Sequence, residues 1–366
     1  KASAGLTWYG KNKAEAFDYA LDKSVRIVQD ITSPEPCLAM ARTQKGNKTR
    51  LVWCYPMTMN LIESTLARPL IDRFKTFSSP MHFGVPQRVT SSMLRVAGQK
   101  YKTVYSLDYS RFDASLSNEL LNAAFRILQS WFDMNGFIVA QDNLGSEIEV
   151  EMSDLWQKIQ SYFVTSPIVM PDGNMYSGRR NGVPSGSYFT QIVDSICNVI
   201  LMGMVSSKFG IKVTLEQLFV LGDDILLFTN DSINLANVSK YLKRLKVTLN
   251  AEKSEVSVSD RVHFLGRDWI KGQPTSDIQS LVNKVTQPES YRRYSETFDE
   301  NEKERLNILR SYASVYHNFT EIYLRTQNER YPITLDAIGK NEQPKSQYLS
   351  GLMKYNIRYG GASSDG

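Results

Sequence analysis

Two neighbouring carboxylates, Asp223 and Asp224, interrupt the apolar stretch LFVLGDDILLF at residues 218–228. An unpaired carboxylate inside a buried strand is costly and normally takes up a proton. The pair therefore belongs at a solvated turn or against a bound positive charge. Upstream, DYSRFDASLS carries Asp108 and Asp113, directly after a β-rich run and before a helical one. Carboxylates that converge on one point repel unless cations hold them. Oxygen donors with few histidines favour Mg2+ or Mn2+ over zinc. Two such ions about 4 Å apart clamp an in-line phosphoryl displacement, one activating an attacking 3′-hydroxyl and the other holding a triphosphate and its leaving pyrophosphate. Gly-Asp-Asp alone is equally ordinary turn chemistry. The elements around it have to decide.

TVYSLDYS reads as a strand ending near Asp108. In the following LSNELLNAAFRILQSWF, the apolar residues Leu120, Leu121, Ala124, Phe125, Ile127, Leu128 and Trp131 recur at helical spacing. Ser117 is placed to cap that helix, with Glu119 in its first turn. Residues 133–180 read as an insertion that includes two short strands about an Asp172-Gly173 turn. GVPSGSYFTQIVDSICNVILMGMVSSKFG is a glycine-rich loop opening a long helix that ends at Gly210. The aspartate pair then sits between two strands. DSINLANVSKYLKRL is a capped helix, KVTLN and SEVSV are strands, and RVHFLGRDWI is a hairpin about Gly266. Residues 41–57 read as a basic loop followed by a strand, and 291–327 as mostly helical. The order after residue 100 approaches a split βαββαβ sheet with an inserted subdomain. In that topology the strand ending at Asp108 lies beside the hairpin of Asp223 and Asp224.

The 366 residues are 42% hydrophobic and 22% charged, enough for two or three subdomains. A net charge of +5 permits a nucleic-acid partner without requiring one. Cys37, Cys54 and Cys197 form no close pair, and His82, His263 and His317 share no ligand spacing, which argues against a disulfide framework and a zinc site. No stretch reads as an uninterrupted apolar membrane span; the longest candidate is ICNVILMGMV. The chain opens at Lys1, without Met and inside a patterned region, which reads as a chain lacking an N-terminal part.

Taken in order, DYSRFDASLS, GVPSGSYFTQIVDS and GDD resemble the motifs of viral RNA-dependent RNA polymerases, most of all those of the double-stranded RNA partitiviruses, with picobirnaviruses as near relatives. The resemblance implies an α+β right-hand fold with a ferredoxin-like palm. It places fingers at 1–100 and 133–180, palm at 101–132 and 181–270, and thumb at 271–366. It makes Asp108, Asp223 and Asp224 the ligands of Mg2+, with Mn2+ as substitute, and Asp223 the principal ligand of its pair. Asp113 senses the ribose 2′-hydroxyl. Ser185 and Gly186 open a loop contacting template and nucleotide, and Thr190, Asp194 and Asn198 follow on one helix face. Many positive-strand RNA virus polymerases carry asparagine where Asp194 stands, so either Asp194 or Asn198 partners Asp113.

ARTQKGNKTRLVW resembles the basic finger motif, in which Arg42, Lys45, Lys48 and Arg50 face the triphosphate. LNAEKSEV resembles the motif whose lysine, here Lys253, protonates the leaving pyrophosphate. VHFLGRDW resembles the primer-supporting hairpin, and KASAGLTWYGKNK a template-entry motif with Lys11 and Lys13 toward template phosphates. The implied partners are RNA template and product duplex, ribonucleoside triphosphates and a capsid protein, with no membrane. The implied location is the virion interior or the host cytoplasm. Members of the family are generally longer. Two other readings stay open: a reverse transcriptase, disfavoured by Asp113 and by Gly222 before the aspartates, and a non-catalytic RNA-binding scaffold of the same fold.

Overall fold

The computed structural model describes residues 3–8, 10–44, 48–77, 79–141, 145–250, 253–258, 260–275 and 277. At its centre is a four-stranded sheet. Its strands, from one edge to the other, are Glu255–Val258, Thr103–Leu107, Asp224–Thr229 and Leu218–Leu221. In chain order that is fourth, first, third, second, the ferredoxin-like arrangement. Thr103–Leu107 runs antiparallel to Asp224–Thr229, with Leu107 opposite Ile225. Leu218–Leu221 pairs with the same strand, with Leu221 opposite Asp224, so Gly222 and Asp223 alone form the turn. Gly222 has φ of 65°, the left-handed conformation a tight hairpin turn asks of its first residue.

Helices Asn118–Gln129 and Thr190–Phe209 lie between the first and second strands in sequence, and Leu235–Arg244 between the third and fourth. Leu121, Ala124, Phe125 and Leu128 from the first helix join Ile192, Val193, Ile196, Leu201 and Val205 from the second in one core with Leu107, Val220 and Ile225. Ser117 caps its helix as expected, its Oγ accepting from the Leu120 amide at 3.4 Å. Gly210 closes Thr190–Phe209 with φ of 66°. That helix corrects the expectation that no segment has membrane-spanning character: by length and composition it is apolar enough. Its apolar faces are instead spent on the core, and Asp194, Ser195 and Asn198 are buried within it.

A second sheet orders Lys48–Cys54, Cys37–Gln44, Ile168–Val169 and Met175–Tyr176. Residues 41–57 therefore begin as strand, not loop. Ala41 faces Leu51 and Arg42 faces Arg50 across an antiparallel pair. The polar residues that suggested a loop lie on a solvent-exposed part of this hairpin, where Ala41, Arg42, Arg50 and Leu51 are all exposed. Residues 45–47, including the candidate Lys45, lie outside the described residues. The two short strands of the 133–180 segment form as expected, the Gly173 amide bonding to the Met170 carbonyl. The segment adds a hairpin, Phe137–Gln141 with Glu147–Glu151, and helix Met152–Thr165, whose Trp156 and Phe163 pack edge-on against Phe125.

By contact density the chain divides into two units, 1–85 with 103–256, and 86–102 with 257–366. In the second, helix Gln87–Lys100 packs by way of Ser91, whose Oγ donates to the Gly272 carbonyl at 2.5 Å, on a sheet of Arg261–Phe264, Arg267–Ile270 and Gln273–Thr275. Leu265 and Gly266 both have positive φ, making the expected hairpin. The helical reading of 291–327 falls outside the described residues.

Candidate active site

Asp108 lies one residue beyond the end of its strand, so continuing the register places it across from Asp224. Its backbone is held by Asn250 and Ser254. The Asn250 amide donates to the Asp108 carbonyl at 2.8 Å, and the Asp108 amide donates to Ser254 Oγ at 3.1 Å. Beside Ser254, Lys253 Nζ stands 3.9 Å from Asp108 Oδ2. Asp223 and Asp224 are both exposed.

The Gly222-Asp223 turn is gripped by helix Thr190–Phe209. Ser195 Oγ accepts the Gly222 amide at 2.8 Å, and Asn198 Nδ2 donates to the Gly222 carbonyl at 3.0 Å and toward the Asp223 carbonyl at 3.5 Å. Asn198 Oδ1 in turn accepts from Tyr109 Oη at 3.0 Å. Ser195 and Asn198 have no exposed surface, so water cannot substitute for these bonds. Through Tyr109, next to Asp108, one side chain ties both aspartate-bearing segments together.

Asp113 sits on the short helix Phe112–Ser115, entered through Arg111 in the left-handed region at φ 53°. Such a non-glycine conformation is strained and persists where the surroundings impose it. Asp113 opens to solvent, yet crowding around its carboxyl and the negative charge of Asp223 push its pKa above the ordinary value, while Arg50 pulls the other way. Asp194 is 4% exposed, and its Oδ1 has no hydrogen-bond partner. Burial, then Asp113 and Asp223, push it well above the usual carboxylate range. Asp113, Asp194 and Asp223 thus form one electrostatic group, of which Asp194 is the dry member.

Arg42 and Arg50 occupy directly opposed positions on the basic hairpin. Like charges in such positions repel and suit a place where an anion docks. Lys48 holds the register position opposite Gln44. The loop at 184–189 leans on the same hairpin. Ser185 Oγ accepts the Trp53 amide at 3.1 Å. A Cβ on Gly186 would meet the Trp53 carbonyl at 2.5 Å, and Gly186 has no positive φ, so the glycine serves close approach, not backbone freedom. Thr190 Oγ1 donates to the Pro184 carbonyl at 2.6 Å, closing the loop onto its helix. Lys11 lies 5.1 Å above the Tyr19 ring, and Lys13 is exposed.

Against known proteins, the family model described as viral RNA-dependent RNA polymerase matches residues 27–322. The chain belongs to that family. Over 175 residues it is 33% identical to the RNA-directed RNA polymerase of Cryptosporidium parvum virus 1, covering 45% of this chain and 30% of that protein. Over 143 residues it is 32% identical to the RNA-directed RNA polymerase of Atkinsonella hypoxylon virus, covering 36% of this chain and 22% of that one. The chain thus aligns with less than a third of either curated relative. An insertion-loop deletion mutant of the RNA-dependent RNA polymerase of a human picobirnavirus superposes with a TM-score of 0.67 at 18% identity, over 88% of this chain and 63% of that one. The likeness to partitivirus and picobirnavirus polymerases read from the motifs is borne out, and so is the right-hand polymerase fold.

Members of this polymerase family use divalent metal ions. The donors here are carboxylate oxygens, which fit a hard cation. Among the described residues, however, no three His, Cys, Asp or Glu side chains are gathered tightly enough to hold a metal as placed. The expected three-carboxylate cluster is therefore not drawn together in this arrangement. The Lys253 ammonium stands beside Asp108 and supplies the opposite charge there. Sequence reasoning missed Tyr109, Ser195 and the turn-holding part of Asn198. It also missed Glu63, a fully buried carboxyl that accepts from Tyr55 Oη at 2.5 Å, Ser187 Oγ at 2.7 Å and the Tyr188 amide at 2.9 Å. Its signal was available: Glu63 falls on the stripe of Met59, Leu66 and Ala67, where helix periodicity calls for an apolar residue.

Proposed function

We propose that the chain extends RNA on an RNA template, joining a primer 3′-hydroxyl to an incoming ribonucleoside triphosphate and releasing pyrophosphate. The observation that carries this reading is the pairing that sets the strand ending before Asp108 beside the hairpin of Asp223 and Asp224, with Asn198 bonded both to Tyr109 and to the turn. When bound there, a pair of Mg2+ ions, or Mn2+ in their place, lowers the pKa of the attacking hydroxyl and neutralises charge on the phosphates. Asp108 and Asp223 are the principal ligands and Asp224 the lesser one. Arg42 and Arg50, with Lys48 and Lys45, neutralise the triphosphate from the finger side. Lys253 Nζ delivers a proton to the departing pyrophosphate.

Ribose selection falls to Asp113 and Asp194. Asn198 is committed to Tyr109 and to the turn, which supports Asp194 as the partner of Asp113. Burial, with Asp113 and Asp223 nearby, favours the protonated form of the Asp194 carboxyl, and a protonated carboxyl can donate as well as accept a hydrogen bond. Ser185, Gly186 and Thr190 shape the loop that meets template and nucleotide, and Lys11 and Lys13 lie toward the template. Fingers, palm and thumb follow the boundaries set out above. Replication and transcription of a viral RNA genome, in the virion or the host cytoplasm and beside a capsid protein, complete the reading.

The test is nucleotide incorporation on a single-stranded RNA template with Mg2+ or Mn2+, comparing ribonucleotides with deoxynucleotides and the parent with Asp223→Asn. Ribonucleotide incorporation that the substitution abolishes supports the reading. Near-normal turnover by Asp223→Asn rejects the metal-ligand assignment, and a preference for deoxynucleotides points to reverse transcription.

A further inference from the structure

The loop at 184–189 is tied to the finger side at two points. One is the Trp53 amide on Ser185 Oγ. The other is Glu63, on helix Met57–Thr76, whose Oε2 accepts both the Ser187 hydroxyl and the Tyr188 amide. Ser187 Oγ also accepts the Phe189 amide at 3.0 Å, so a relay runs from Phe189 through Ser187 to the carboxyl. The other carboxyl oxygen accepts from Tyr55, whose Cβ would stand 2.9 Å from a Cβ on Gly186. One carboxyl therefore holds the loop and also the side chain the loop leans against. It has no exposed surface, so no solvent bond replaces a lost one.

Resting on the polymerase reading above, we propose that Glu63 is a positioning residue, the anchor that sets the 184–189 loop where template and nucleotide meet it. Glu63 touches no substrate; it acts through Ser187, Tyr188 and Tyr55. A helix carboxyl that only satisfied its neighbours would stabilise the fold without changing how substrate binds. This one fixes the loop that opens onto the helix of Asp194 and Asn198, so its loss should register in nucleotide use.

Two measurements test it on the full chain: hydrogen exchange of the 185–189 amides, and steady-state incorporation with Glu63→Ala, Glu63→Gln and Ser187→Ala. Glutamine keeps the length and lets Tyr55 Oη reverse to accept. Glu63→Ala should speed exchange at Tyr188 about tenfold and lower kcat/KM for nucleotide about tenfold, chiefly through KM, the scale of one orphaned buried donor. Glu63→Gln should restore both to within about threefold. Unchanged loop exchange in Glu63→Ala, or glutamine as damaging as alanine, overturns the proposal. If Glu63→Ala does not fold, Ser187→Ala carries the test: faster Tyr188 exchange supports the anchor and unchanged exchange rejects it. A parent chain that incorporates nothing would remove the polymerase reading, and the exchange rates would still decide whether Glu63 anchors the loop.

Discussion

Gly186→Ala should be among the most damaging single-methyl changes in this chain. The added Cβ would lie 2.5 Å from the Trp53 carbonyl oxygen, 2.9 Å from Tyr55 Cβ and 3.1 Å from the Tyr55 amide nitrogen. Two of those three atoms are backbone, and Trp53 is locked in register opposite Ala39, so the hairpin cannot yield locally. Relief requires the loop to withdraw by about 1 Å to reach normal contact distance. That movement breaks the 3.1 Å bond between the Trp53 amide and Ser185 and stretches the 2.9 Å bond from the Tyr188 amide to Glu63. Overpacking costs about 1–3 kcal/mol and a lost hydrogen bond about 1 kcal/mol, so a loss of about 2–4 kcal/mol is expected. Gly203 is the control: it is exposed in mid-helix, and its added Cβ meets nothing within 4 Å. Gly203→Ala should stabilise by about 0.5–1 kcal/mol, because alanine loses less conformational entropy on folding. Urea unfolding midpoints of the two variants and the parent, at constant m, decide the matter. Equal stability of Gly186→Ala and parent, or the same loss at both glycines, would refute the steric reasoning.

Stability should respond to pH through two buried groups with opposite signs. Burial pushes the Glu63 carboxyl from 4.5 to about 7, so folding favours its neutral form and stability is lost as pH rises through that span; it pushes His82 from 6.5 down to about 4, so stability is lost as pH falls through that one. At about 1.4 kcal/mol per pH unit each span is worth about 3 kcal/mol, and the stability of Glu63→Gln relative to the parent should rise by that amount between pH 4.5 and 7; a pH-independent difference in unfolding free energy sinks this. Ser117→Ala removes the cap on Asn118–Gln129 and should cost about 1 kcal/mol, read from the same unfolding curves; a neutral outcome would show the 3.4 Å bond contributes nothing. Asp113→Ala should erode discrimination against deoxynucleotides, measured as the ratio of kcat/KM values, and an unaltered ratio moves ribose sensing elsewhere.

The parts of the fold legible in the sequence are those fixed by local chemistry. Gly222 before two aspartates forces a turn between apolar strands, Ser117 precedes a helical period, and Gly210 ends one. Their order along the chain was enough to place the strand ending at Asp108 beside the hairpin of Asp223 and Asp224. What was not legible depends on contacts distant in sequence. Residues 41–44 were read as loop because Arg42, Thr43 and Gln44 are polar, but their strand state comes from pairing with Lys48–Cys54. The freedom of Gly186 is visible in sequence, whereas the carbonyl it must clear belongs to Trp53. Asn198 stands at a helical interval from Asp194, which says that the two share a face but not that one is spent on a neighbouring turn.

The buried polar residues of helix Thr190–Phe209 are themselves an argument for function. A core helix is most stable with an apolar inner face, and each polar group placed there must recover its lost hydration through a hydrogen bond. Ser195 and Asn198 do so on the Gly222-Asp223 turn. They convert a short hairpin, which pairing alone would leave free to rock, into a turn fixed relative to Asp108. Asp194 Oδ1 recovers nothing within the protein, although the carboxyl is buried beside Asp113 and Asp223. Packing does not explain a dry carboxyl oxygen without a partner; a leucine or asparagine at 194 would leave the fold at least as stable. A hydroxyl arriving between Asp113 and Asp194 would explain it, since the missing bond would then form only when the ribose is in place. Asp194→Asn should therefore leave the unfolding midpoint unchanged or raised while altering nucleotide selection. A variant that loses stability but keeps its ribonucleotide preference would make Asp194 a structural residue.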